Sequence, residues 1–176
     1  MKKKIALLGS TGSIGQQTLD VVENDKDKFE IVVLTAKSNY RLLIKQAKQI
    51  NPKYVVIVDD KHYTDVKKAL EDLDIEVLSG FNSVLEIVAL QIVDFVIVAL
   101  VGYSGLLPTI KAIENKKQVA LANKEALVVA GEIITKKAKE NNVKLLPIDS
   151  EHSAIFQCLV GEKYSEIEKI YLTASG

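Results

Sequence analysis

An α/β fold, with a mostly parallel sheet and helices on both of its faces, is predicted by two features of this sequence. Short β-branched apolar runs alternate with longer helical segments, the pattern of repeated strand-helix-strand units. The first run, Ile5-Ala6-Leu7-Leu8, leads directly into Gly9-Ser10-Thr11-Gly12-Ser13-Ile14-Gly15, which opens a helix expected over Ile14 to Glu23. A glycine turn in that position makes the fold Rossmann-like. Gly9 can take the bend after the strand, Gly12 lets the backbone approach a pyrophosphate, and Gly15 lets the helix pack close to the sheet. The free N–H groups and positive dipole end of the helix would hold the phosphates. The spacing is G-x-x-G-x-x-G rather than G-x-G-x-x-G, and glycine turns also occur in α/β proteins that bind no nucleotide. Position and hydroxyl content favour a cofactor.

Glu30 to Ala36 is a β-branched run that reads as a buried second strand. An NAD site usually has an acid at this strand's end to accept from the ribose 2′-hydroxyl, whereas here the strand runs into Lys37-Ser38-Asn39. A lysine and a hydroxyl suit a 2′-phosphate, so NADP is favoured. The alternative is a solvated Lys37, with Ser38 or Asn39 capping the next helix, Tyr40 to Ile50.

After Pro52 come a strand at Tyr54 to Val58, a helix near Thr64 to Leu73, a short strand at Ile75 to Leu78 and a helix at Ser83 to Leu90. His62 has no recognisable ligand partner and reads as a surface histidine. Phe95 to Val101 reads as a central strand buried on both faces, followed by a turn flanked by Gly102 and Gly105 and a helix at Leu106 to Asn115. The strand Gln118 to Ala122 ends in Asn123-Lys124-Glu125, three polar residues at a position that lines the crevice of a parallel sheet. Lys124 is suited to a negative or carbonyl oxygen. Asn123 could instead cap the helix from Glu125 towards Lys139, with Glu125 favouring its first turn through the dipole.

Val143 to Ile148 is strand-like, but Pro147 argues for a sheet edge or an exit from the sheet. Asp149-Ser150-Glu151-His152 follows. Two carboxylates held about 4 Å apart repel by roughly 4 kcal/mol at an effective dielectric of 20, a cost that a divalent cation such as Mg²⁺ or Mn²⁺ removes. The competing reading is that Asp149 or Ser150 caps an apolar helix, Ala154 to Val160. A charged linker, Gly161 to Glu166, and a strand at Ile167 to Thr173 complete the pattern. The small-residue turn Ala174-Ser175-Gly176 has no helix to lead into, so the chain is expected to be cut short.

Composition narrows the function. At 176 residues, one buried core and the start of another unit can form. Twenty-three basic and twenty-three acidic residues cancel, and the lysines are scattered, which disfavours nucleic acid as a partner. The longest apolar run is too short to cross a bilayer, and the basic start Met1 to Lys4 lacks a signal peptide's apolar region, so a soluble cytoplasmic protein is expected. Cys158 is the only cysteine, which excludes an intrachain disulfide; its apolar neighbours suggest a buried filler.

Taken together, Gly9 to Gly15, Leu121-Ala-Asn-Lys-Glu125 and Leu145-Leu-Pro-Ile-Asp-Ser-Glu-His152 resemble 1-deoxy-D-xylulose 5-phosphate reductoisomerases, over the whole chain. The resemblance implies NADPH-dependent and metal-dependent conversion of deoxyxylulose phosphate to 2-C-methyl-D-erythritol 4-phosphate on the non-mevalonate isoprenoid route. It implies NADPH contacts from Thr11, Gly12, Ser13, Ile14, Lys37, Ser38, Asn39, Asn123 and Glu125. Lys124, Ser150, Glu151 and Ser175 would bind the sugar phosphate; Asp149 and Glu151 would hold Mg²⁺ or Mn²⁺, with Lys124, Asp149 and Glu151 as the catalytic set. Family members often have a base one position later than Lys37. The implied organisation is an NADPH-binding domain over 1–148 and, over 149–176, the start of an incomplete α+β catalytic domain. Family chains are longer and form homodimers, and they add a further metal carboxylate and a lid. This chain is therefore expected to bind NADPH with little turnover. Rivals are a non-catalytic NADPH-binding module and another NADP-dependent reductase, such as a semialdehyde dehydrogenase, which would need a nucleophilic cysteine.

Overall fold

The computed structural model describes residues 1–171 of the chain. In order, the elements are β1 (Lys3–Leu8), α1 (Ser13–Asn24), β2 (Phe29–Ala36), α2 (Tyr40–Ile50), β3 (Tyr54–Ile57), α3 (Tyr63–Ala69), β4 (Glu76–Ser79), α4 (Gly80–Ile87), β5 (Phe95–Val98), α5 (Leu106–Glu114), β6 (Gln118–Leu121), α6 (Lys124–Glu140), β7 (Leu145–Pro147) and α7 (Ser150–Cys158). The strands form one sheet in the order β4-β3-β2-β1-β5-β6-β7, and every pairing is parallel. From β1 the chain builds outward through β4, then crosses back to add β5, β6 and β7 on the other side. The order therefore reverses between β1 and β5, which in an open parallel sheet opens a crevice at the strands' C-terminal ends.

Strand residues alternate between two apolar layers. Ala6, Leu8, Val96, Val98, Val119 and Leu121 pack with Ala112 and Ile113 of α5 and Ile134 of α6. Ile5, Leu7, Ile97 and Ala120 meet Leu43 and Ala47 of α2 and Val66 of α3 on the opposite face. Burial on both faces explains the continuous Val, Ile and Leu runs of the central strands, and each fully buried side chain of this size contributes about 1.5–3 kcal/mol.

The first turn is compact for stereochemical reasons. Gly9 has φ +86°, and a Cβ there would lie 2.5 Å from the Ala99 carbonyl oxygen. A Cβ on Gly15 would lie 2.3 Å from the Gly9 carbonyl oxygen, so this glycine lets α1 close on the turn's own backbone rather than on the sheet. Gly12 stays open, with only ordinary contact at 3.5 Å from the position of a Cβ.

Several boundaries differ from expectation. β5 ends at Val98 instead of Val101, because Ala99 packs on Gly9 and the following residues turn toward Asn123. The helices expected at Thr64 to Leu73 and Ser83 to Leu90 lie at Tyr63–Ala69 and Gly80–Ile87. β7 takes the edge that Pro147 requires. α7 begins at Ser150, four residues before the expected Ala154, because the Asp149 side chain caps it. Residues 167–171 form no strand, since no neighbouring strand pairs with them among the described residues; Leu172 and Thr173 lie outside that range. Cys158 is exposed rather than buried, because α7 has no buried residue. His62 is half-buried, stacked on Tyr40 with ring centroids 4.2 Å apart.

Gly15→Ala tests the closure of α1 on the first turn. A destabilisation of about 1–3 kcal/mol is expected, each kcal/mol lowering Tm by about 2–4 °C in a chain of this size. An unchanged thermal transition would contradict the close approach.

Candidate cofactor and substrate crevice

Five polar or glycine-rich turns follow the neighbouring strands β2, β1, β5, β6 and β7, so parallel pairing sets them side by side on one edge of the sheet. The predicted site residues within the described range all fall on four of them; Ser175 lies outside the described residues.

After β1, Thr11, Gly12, Ser13 and Ile14 lead into α1, with Gly12 at its N-cap. The first-turn N–H groups of a helix have no intrahelical acceptor, so this end offers donors to an anion. After β2, Lys37 and Ser38 are exposed, while Asn39 caps α2, its Oδ1 accepting from the Leu42 N–H at 3.3 Å. Sequence reasoning missed the next residues. Tyr40 stacks on His62, and the Arg41 guanidinium donates to the Tyr40 hydroxyl at 3.3 Å while lying 5.7 Å from that ring's centroid. The hydrogen bond and the charge interaction with Tyr40 raise the Arg41 pKa above its usual value. The available signal was a second cation one helical turn after Lys37.

After β6, Asn123 has a structural role. It is 1% exposed, its Oδ1 accepts from the Ala126 N–H at 2.9 Å, and its Nδ2 donates to the carbonyls of Leu100 and Gly102. One side chain thus caps α6 and ties down the turn after β5, and its hydrogen-bonding atoms are engaged before any ligand arrives. Lys124 and Glu125 open α6, whose first turns are set off by a non-helical Ala130 (φ −140°, ψ 29°).

After β7, Asp149 accepts from the backbone N–H of His152 at 3.2 Å, and its Oδ2 lies 2.6 Å from His152 Nδ1. A carboxylate can only accept, so Nδ1 is the protonated ring nitrogen. Burial pushes the Asp149 carboxyl up, but the bonds from the His152 ring and backbone outweigh it and leave it below the usual carboxylate range. Glu151 lies in the first turn of α7, its Oε1 3.6 Å from Lys124 Nζ. This exposed ion pair spans the turns after β6 and β7 and brings the predicted catalytic lysine to a predicted metal carboxylate. Among the described residues no group of three or more His, Cys, Asp or Glu side chains is placed to hold a metal, and Asp149 and Glu151 supply two oxygen-donor groups.

An open parallel sheet with a glycine turn at its switch point defines a Rossmann-type α/β unit. Two family profiles match the chain: 1-deoxy-D-xylulose 5-phosphate reductoisomerase over residues 5–131, and the C-terminal domain of the same enzyme over 145–176. The chain belongs to the 1-deoxy-D-xylulose 5-phosphate reductoisomerase family. It is 56% identical over 176 residues to the reductoisomerase of Porphyromonas gingivalis, covering all of this chain and 46% of that one. The Zymomonas mobilis reductoisomerase in complex with NADPH superposes with a TM-score of 0.86 at 41% identity, over 90% of this chain and 41% of that chain. A DOX-P reductoisomerase in complex with NADPH, fosmidomycin and magnesium gives 0.84 at 39% identity, over 89% and 38%. The chain therefore spans less than half the length of these relatives.

Asn123→Asp keeps the cap of α6 but cannot donate to the Leu100 and Gly102 carbonyls. It is expected to destabilise by about 1–3 kcal/mol in denaturant unfolding, and Asn123→Ala, which also loses the cap, by about 2–4 kcal/mol. Equal stability of all three proteins would show that these bonds contribute nothing.

Proposed function

We propose that this chain forms the NADPH-binding part, 1–148, and the opening of the catalytic part, 149–176, of an enzyme that rearranges and reduces 1-deoxy-D-xylulose 5-phosphate to 2-C-methyl-D-erythritol 4-phosphate. The observation that carries this reading is the Lys124–Glu151 approach of 3.6 Å, on the same sheet edge as the glycine turn. Family membership and the ligands named for the solved relatives, NADPH and magnesium, support it.

In this reading, the backbones of Thr11, Gly12, Ser13 and Ile14 hold the pyrophosphate, and Lys37, Ser38 and Asn39 receive the 2′-phosphate. Asn123 shapes the wall of the crevice beside Glu125. Lys124, Ser150 and Glu151 orient the sugar phosphate, with Ser175 as a further phosphate contact. Asp149 and Glu151 are hard oxygen donors that suit Mg²⁺ or Mn²⁺, and the hydrogen bonds from His152 keep Asp149 ionised. When bound, the cation polarises the substrate carbonyl and the nicotinamide supplies hydride. Two carboxylates are fewer than an octahedral ion requires, so substrate, water and residues outside this chain complete the set. The whole enzyme acts on this small-molecule substrate in the cytoplasm as a homodimer, without nucleic acid or membrane. Among the described residues no helix is long and apolar enough to cross a membrane.

Nicotinamide fluorescence tests the cofactor half. The chain is expected to bind NADPH at least about tenfold more tightly than NADH, and Lys37→Ala to remove most of that preference while leaving NADH unaffected. Equal binding of both cofactors would overturn the 2′-phosphate assignment. A turnover assay tests the second half: the purified 176-residue chain with NADPH and Mn²⁺ is expected to form little or no methylerythritol phosphate. Readily measurable formation would contradict the need for residues outside it.

A further inference from the structure

Beneath the first turn lies a buried polar cluster that does not face the crevice. Gln46 of α2 is 5% exposed, between Leu43 and Ala47 on the face that meets the sheet. Its Oε1 accepts from the Ser10 hydroxyl at 2.7 Å, and its Nε2 donates to the Ser10 backbone carbonyl at 2.9 Å. Ser10 is itself fully buried, and its N–H donates to the Thr35 carbonyl at 2.9 Å. Gly9 is held from the same strand, its N–H 3.0 Å from Thr35 Oγ1 and 3.2 Å from the Thr35 carbonyl oxygen.

We infer that Gln46 is a positioning residue for cofactor binding, which fixes the pyrophosphate turn by turning both polar groups of Ser10 into the core. With the Ser10 carbonyl and hydroxyl held inward, the turn runs on through Thr11 and Gly12 into α1 on the crevice side. An apolar side chain of similar size would fill the same space against the sheet, so packing alone does not call for an amide here. Loss of the amide takes the donor from the buried Ser10 carbonyl and leaves the hydroxyl only its longer bond to the Thr35 carbonyl at 3.3 Å, so the turn must shift for the Ser10 carbonyl to reach water. α2 also begins directly after Lys37-Ser38-Asn39, so Gln46 fastens the 2′-phosphate turn and the pyrophosphate turn to one rigid helix. The affinity arm of the following test rests on the NADPH reading above; the exchange arm does not.

The test compares Gln46→Leu with Leu43→Ala, a control that removes packing from the same helix, in the 176-residue chain well below either melting temperature. Gln46→Met, which retains side-chain length, replaces Gln46→Leu if that variant is too unstable to study. Amide exchange at Gly9 and Ser10 is expected to accelerate about tenfold in the Gln46 variant, with NADPH and NADH both weakened about tenfold because they share the pyrophosphate. Leu43→Ala is expected to lower Tm while leaving exchange at the turn and cofactor affinity near wild type. Unchanged exchange and affinity in the Gln46 variant, or equal changes in Leu43→Ala, would overturn the inference. A wild-type chain that binds neither cofactor would sink the NADPH reading, and the exchange comparison would still decide whether Gln46 holds the turn.

Discussion

Because β1 pairs in parallel with β2 on one side and β5 on the other, each strand must be reached by a crossover, and every C-terminal strand end arrives at the same edge. Groups far apart in the chain, from Thr11 to Glu151, come to one edge of the sheet through this constraint. The crossover order also leaves the gap between β1 and β5 where the glycine turn sits. That turn is itself a packing solution, since Gly9 and Gly15 bring strand, turn and helix closer than any side chain permits.

The polar residues of the crevice have two roles. Asn123 caps α6 and holds the turn after β5, and Asp149 caps α7 and is held ionised by His152; beneath the crevice, Ser10 is bonded to Gln46 in the core. Each of these bonds is made within the chain, so side chains of the turns are tied to the fold by the chain's own groups. Lys124 and Glu151 are the contrast, being exposed and joined by an ion pair, a contact of little net strength in water.

Most of the fold was legible because the central strands are buried on both faces and announce themselves as continuous apolar runs. Pro147 correctly marked a sheet edge. Ends were harder to read. The stop of β5 at Val98 depends on Ala99 meeting Gly9, a contact made across ninety positions that no local pattern encodes. α7 begins at Ser150 because Asp149 caps it, yet none of its residues is buried, so Cys158 is exposed. Within the expected strand from Ile167, the described residues 167–171 are unpaired, because Ile167, Ile170 and Tyr171 with charged Glu168 and Lys169 do not by themselves supply a pairing partner. At the candidate site, the sequence places the polar residues at strand ends but does not show which of them turn into the fold. Whether Asn123 points at a ligand or into the fold is decided by the Leu100 and Gly102 carbonyls, and the importance of Gln46 is visible only once α2 lies beneath the first turn.

Two-dimensional amide NMR of the chain titrated with NADPH shows whether the C-terminal edge of this sheet takes the dinucleotide. Saturable shifts are expected at residues 9–15, 37–41 and 123–125, at the C-terminal ends of β1, β2 and β6. Shifts confined to the opposite ends of the strands, or no saturable shifts, would contradict binding at that edge.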